Sequence, residues 1–147
     1  MTSEGMMVAQ FKVSVETKFH IDYGWWERED RDIRLHLYDL LCNDHKAMFP
    51  THLGTEEVDW VDPETAEVRQ VDALWENILS CCSLKPDYIT ETTPLVTSIF
   101  RTLVANKNAP LSPLELYKRI GRSTPEDILR VLTGERIYYG IVPVIPS

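Results

Sequence analysis

From Phe11 to Tyr23 the chain alternates: Phe11, Val13, Val15, Thr17, Phe19, Ile21 and Tyr23 take the odd positions, and Lys12, Ser14, Glu16, Lys18, His20 and Asp22 the even ones. Successive side chains of a strand point to opposite faces, so this period predicts a half-buried strand with room for one break, ended at Gly24. The period then lengthens. Trp26, Ile33, Leu37, Leu40 and Leu41 recur near every 3.6 residues while Glu27 to Asp32 form a solvated face, which predicts a helix from Trp25 to about Leu41. Glu27–Arg31 and Asp30–Arg34 stand four apart with the acid first, the supportive order. Cys42 to Gly54 reads as the end of that helix and a polar loop. Val58 to Val68 reads as a hairpin whose Asp62-Pro63 presets the turn, with Ala66 where many hairpins place a glycine. Asp72 then caps a helix running through Cys82, with Leu74, Trp75, Ile78, Leu79 and Cys82 as its buried stripe.

The last third carries the strongest local signals. Thr93-Pro94, Ser112-Pro113 and Thr124-Pro125 each precede an apolar-periodic run. Each offers a side-chain acceptor for the first free N–H groups and a φ-locked residue where a missing N–H costs nothing. Ser112 with Glu115 forms a capping box and Thr124 with Asp127 approximates one. Gly121 and Gly134 are placed to end the second and third runs. Three helices are expected over 94–106, 113–120 and 125–133, then a β-prone tail, Ile137 to Val142, closed by Pro143 and Pro146.

Leu111-Ser112-Pro113-Leu114-Glu115-Leu116-Tyr117-Lys118-Arg119-Ile120-Gly121 resembles the second helix and turn of the winged helix-turn-helix family. Tyr117 stands where that family usually has a small residue, and Gly121 follows at the turn. The resemblance covers residues 93–142, about a third of the chain. It implies that Ile128, Val131 and Leu132 line the buried side of a recognition helix. It also implies DNA as a partner class, with Lys118, Arg119, Arg122, Arg130 and Arg136 as candidate contacts. One strand is readable after Gly134 but no returning partner. Glu126 and Asp127 occupy the helix end that would approach phosphates, where carboxylates are unfavourable.

Composition adds little to this picture, and charge adds more. The chain has 147 residues, 44% hydrophobic and 26% charged, which excludes collagen-like and wholly disordered classes. The net charge of −8 is uneven: residues 1–84 hold 17 acidic and 7 basic side chains, residues 85–147 hold 6 and 8. We therefore expect an α+β protein with an acidic strand-helix-hairpin-helix lobe over 1–84 packed on a winged-helix-like lobe over 85–147, or one continuous domain with that asymmetry. The overall sign disfavours nonspecific nucleic-acid or anionic-membrane binding. No apolar run approaches the roughly 20 residues of a membrane span. The first five residues lack a basic n-region, so a cytoplasmic protein without a membrane role is expected.

Candidate chemistry is sparse. No nucleophile elbow, phosphate-cradling glycine loop or dinucleotide fingerprint is present, and His20 and His36 are isolated, so the reading is non-catalytic. Asp59, Asp62, Glu64 and Glu67 fit a solvated turn without a metal-loop spacing. The three cysteines, an odd number with one adjacent pair, fit free thiols in a reducing compartment. Cys42-Asn43-Asp44-His45 has the gap by which a Cys and a His grip one zinc ion, and Cys81 or Cys82 with His52 would complete four ligands. A second paired half is missing, so no cofactor is assigned and zinc at Cys42, His45 and Cys82 is the alternative. Trp25-Trp26 and Tyr138-Tyr139 supply aromatic anchors for a protein interface, Trp25, Tyr138 and Tyr139 being the candidates. The expected role is a regulator or adaptor binding a protein partner or a second copy of itself. The alternatives are a sequence-specific DNA-binding regulator and a metal-dependent protein using Cys42 and His45.

Overall fold

The computed structural model describes residues 12–49, 51–52, 58–61 and 63–145. The chain is α+β: seven α-helices and two antiparallel two-stranded sheets among the described residues. It divides into two compact units. One combines the described residues up to Trp25 with those from Pro94 onward, and the other spans Trp26–Thr93. This differs from a boundary at residue 84, because the N-terminal segment joins the helical unit instead of the acidic one. The asymmetry survives the new boundary: residues 26–93 hold 16 acidic and 6 basic side chains, the remainder 7 and 9.

In the first unit, strand β1 (Phe19–Ile21) pairs with β4 (Ile141–Pro143), His20 opposite Val142. The long alternation is shortened to these three residues because the chain turns just before them. Ser14 N–H donates to Thr17 Oγ1 (2.8 Å) and Thr17 N–H to the Ser14 carbonyl (3.0 Å). Phe11 lies outside the described residues. Phe19 also exchanges backbone bonds of 2.8 and 3.0 Å with Leu111, and the Asn108 side chain brackets Ile21, accepting from its N–H at 2.7 Å and donating to its carbonyl at 2.9 Å. The unread partner of the C-terminal strand is thus supplied from the other end of the chain.

Helices α5 (Leu95–Ala105), α6 (Pro113–Ile120) and α7 (Pro125–Leu132) follow the sequence expectation to within two residues. Ser112 and Glu115 form the full capping box, Thr124 accepts from Asp127 N–H, and Gly121 ends α6 in the left-handed region (φ +78°). Two caps differ. Pro94 is itself the cap of α5, since the Thr93 hydroxyl accepts from Thr90 N–H (3.0 Å), and α7 ends at Thr133, not at Gly134. The core of this unit is Phe19, Ile21, Ile99, Phe100, Leu103, Val104, Leu111, Leu116, Ile128 and Ile141.

The expected helix from Trp25 to Leu41 is broken in two. Helix α1 (Tyr23–Arg28) ends where Asp30 takes φ +52°, and Asp32 caps a new helix α2 (Ile33–Asp39) by accepting from Arg34 N–H at 2.9 Å. A local cap in mid-run outweighs a continuous hydrophobic period, and the charged pairs counted as helical neighbours straddle the break. In place of the expected loop after Cys42 stands helix α3 (Asn43–Met48), tied at its end by Tyr38 OH, which donates to the Phe49 carbonyl (2.7 Å). Strands β2 (Val58–Val61) and β3 (Val68–Val71) form the expected hairpin, with Ala66 accepting the positive φ (+61°). Asp72 caps α4 (Ala73–Ser80) at Leu74 and Trp75 N–H, and also pairs with Arg34 of α2. A single 3-10 turn, Cys82–Leu84, replaces the last turn of the expected helix. Trp26, Leu37, Leu40, Leu41, Ala73, Leu74, Ile78, Cys82 and Tyr88 form this unit's core.

Candidate functional site

Two places gather chemistry. The first lies within residues 26–93, where the start of α3 meets the end of α4. Cys42 precedes α3 in extended conformation (φ −69°, ψ 165°). One turn on, the His45 ring sets Nδ1 3.1 Å from Cys42 Sγ and 3.4 Å from Cys82 Sγ. Cys81 ends α4 with φ −140° and ψ −63°, outside helical geometry. In a continuing helix, adjacent side chains would diverge by about 100°. The break lets both sulfurs of Cys81 and Cys82 turn toward α3. The ligand atoms of Cys42, His45, Cys81 and Cys82 all lie within 4.8 Å of one another.

This corrects the sequence reading in one respect and extends it in another. Cys42, His45 and Cys82 come together as a group. His52, offered as a fourth ligand, is turned to Asp32 (Nε2–Oδ2 3.1 Å), and Cys81 takes its place beside Cys82. The electrostatics split the thiols. Burial works to raise Cys42, but backbone and side-chain hydrogen bonding from His45, and the contact with Cys82, outweigh it and hold the thiol down at about 7. Burial pushes Cys82 up to about 11, the Cys42 side chain adding to the rise. One thiol of the pair ionises readily and its neighbour resists, as two anions in contact must. All three cysteines are free thiols.

The second place is the face of the helical unit formed by α5, α7 and the segment after α7. Val96, Arg130, Val131, Gly134, Glu135, Arg136 and Tyr138 line a groove of about 440 Å³. Tyr138 is exposed (39%), as is Ile137 beside it. Tyr139 is not an anchor: its ring stacks on Phe100 (centroids 4.8 Å apart) and its hydroxyl lies 3.2 Å from Thr97 Oγ1. The expected alternation of Tyr138 and Tyr139 on a strand gives way to a turn with positive φ at Tyr139 (+56°) and Gly140 (+71°). Trp25 is buried at 8% exposure and Trp26 at 1%, the His36 ring packing edge-on against Trp26 at 4.9 Å, so neither tryptophan offers an open anchor.

The five candidate DNA contacts have different local surroundings. Lys118 and Arg119 are exposed in the last turn of α6, Arg122 donates to Ser98 Oγ on α5 (3.1 Å), and Arg136 lines the groove. Arg130 Nη1 donates to Asp127 Oδ1 at 2.6 Å, so the acid at the helix start holds the cation one turn on. Among the acids of the hairpin, Asp59, Glu64 and Glu67 are exposed, and Asp62 lies outside the described residues. Among the described residues no helix is long and apolar enough to cross a membrane. Compared with known proteins, the chain matches no family model, no curated protein and no solved structure.

Proposed function

We propose that this chain is a non-catalytic regulator or adaptor whose helical unit binds a segment of a protein partner. The observation that carries the reading is the groove beside α7. Val96, Val131 and Tyr138 line it together with Arg130, which also holds Asp127, and Arg136, and about 440 Å³ takes one or two side chains. An apolar residue next to a single carboxylate suits these arginines, while Glu135 among the lining residues disfavours a second acid beside it. The slight basic excess of this unit favours the same acidic segment. A phosphate backbone fits less well. It would meet Glu126 and Asp127 at the start of α7, and removing Arg130 from Asp127 would leave that acid facing the polymer.

The test is selection of displayed random peptides on the full chain, followed by fluorescence-anisotropy titration of the enriched peptide and of a mixed-sequence DNA duplex at low salt. The expected result is an apolar-acidic peptide motif whose binding weakens at least about tenfold in Tyr138→Ala and in Arg136→Glu, the scale of an interface anchor. Failure to enrich any motif, or binding indifferent to both changes, removes the reading. Duplex binding that falls steeply with salt and is lost in Arg122→Ala installs the DNA reading instead.

A further inference from the structure

We propose that Cys42, His45, Cys81 and Cys82 hold a single structural zinc ion in a closed three-sulfur, one-nitrogen site that fastens α3 to the end of α4. Three observations support this, independently of what the helical unit binds. The first is the donor set. Tetrahedral zinc with bonds of about 2.3 Å to sulfur and 2.0–2.1 Å to nitrogen places its ligand atoms about 3.5–3.8 Å apart. Here His45 Nδ1 lies 3.1 and 3.4 Å from two sulfurs, and the widest separation in the group is within 4.8 Å, so shifts of about an ångström close the tetrahedron.

The second is the backbone that produces the convergence. Adjacent cysteines on a regular helix would diverge, and the departure of Cys81 from helical geometry is what turns both sulfurs to the same side. A Cys81–Cys82 bridge would strain the peptide between them. A Cys42–Cys82 bridge would use two of the four groups and leave the His45 nitrogen and the Cys81 sulfur facing it without a task. A four-coordinate cation uses all of them.

The third is size. The unit carrying the site spans 68 residues, from Trp26 to Thr93, in the range where a single core gives modest stability and small domains recruit a metal. With four protein ligands no position is left for water, so the ion is structural and not catalytic. Soft thiolates with one imidazole select zinc over magnesium or calcium. Loading is balanced in protons: three thiols and a neutral imidazole take up Zn2+, give a centre of net charge −1 and release three protons.

The experiment uses the full chain, reduced and stripped of metal, titrated with Zn2+ against a chromophoric chelator and in parallel with Co2+. The expected result is one ion per chain, all three thiols shielded from alkylation when loaded, and a cobalt spectrum with the strong visible bands of four-coordinate geometry and thiolate charge transfer. Cys81→Ser and His45→Ala, both at partly exposed positions, should each weaken affinity by more than the roughly 10–100-fold that losing an outer-shell partner costs. Cys81→Ser should also lose part of the charge-transfer intensity, a readout that a folding defect alone would not mimic. Asp44→Asn, beside the site, should bind as the parent does. A folded, reduced chain that takes up neither ion overturns the proposal. So does uptake that is equal in parent, Cys81→Ser and His45→Ala, or a metal-free chain isolated with Cys42 and Cys82 joined as a disulfide.

Discussion

Asp72 joins three interactions in one carboxylate, and its replacement gives a quantitative test of how the acidic unit is held together. Its Oδ1 accepts from Leu74 N–H at 3.0 Å and from Trp75 N–H at 3.4 Å, and both oxygens meet the Arg34 guanidinium from α2. The side chains of Arg34 and Asp72 are 19% and 26% exposed, so solvent screens the pair only in part. Asn caps helices about as well as Asp, so Asp72→Asn keeps the cap and weakens the charge-assisted bonds, a loss of about 1.5–3 kcal/mol. Asp72→Ala removes the cap as well and costs about 1 kcal/mol more. Hydrogen exchange of the α4 amides reads the effect directly. At 1.4 kcal/mol per factor of ten, protection in Asp72→Asn should fall roughly 10–100-fold. A double-mutant cycle with Arg34→Met isolates the pair and should give a coupling of about 1–3 kcal/mol. Additive single changes, with a coupling below about 0.5 kcal/mol, would falsify the claim that this contact joins α2 to α4.

Three further outcomes follow from particular contacts. Lys18 and the Ser112 N–H, both bonded to Glu115, hold its carboxyl down at about 2 from an ordinary 4.5. Because the folded value is the lower one, the stabilisation is complete above pH 4.5 and is lost as pH falls toward 2; the gap in melting temperature between parent and Glu115→Gln should close over that window. Gly121→Ala forces alanine to φ +78° with open space around its Cβ, so urea denaturation should show a loss of about 1–2 kcal/mol from backbone strain alone, whereas Gly134→Ala, at an ordinary φ and nothing nearer than 3.8 Å, should be neutral or slightly stabilising. In the metal-free chain iodoacetamide should label Cys42 with a rate that rises through a midpoint near pH 7, while buried Cys82, held up at about 11, stays unlabelled by peptide mass mapping.

Sequence reading succeeded where the deciding interaction is short-range. Ser112 with Glu115, Thr124 before Pro125, and Asp72 before Leu74 each satisfy N–H groups two or three residues away, so the caps show in the order of residues. The same logic, applied to Asp32, would have located the break between α1 and α2, but the hydrophobic period runs straight through it. Helix α3, six residues long, is too short to generate a period at all. The pairing of β1 with β4 has no local signature, because each strand is completed by residues more than a hundred positions away. At the thiol cluster, the Cys42–His45 spacing was legible. That Cys81 joins Cys82, where the spacing offered one or the other, was not, since it depends on one pair of backbone angles at the end of α4. His52 was a reasonable ligand on spacing and lost that role to the nearby carboxylate of Asp32.

The pairing of Phe19 with Pro143 also sets an order of events on the ribosome. Residues 26–93 are contiguous, so every contact within that unit is available once they have left the exit tunnel. The helical unit has to wait. Its first strand is made before residues 26–93 and its matching strand more than a hundred positions later, so Phe19 and Ile21 stay without that strand while the whole acidic unit is synthesised. A nascent chain halted before Ile141 should therefore carry a finished acidic unit and an open apolar edge, the species that a chaperone would meet first.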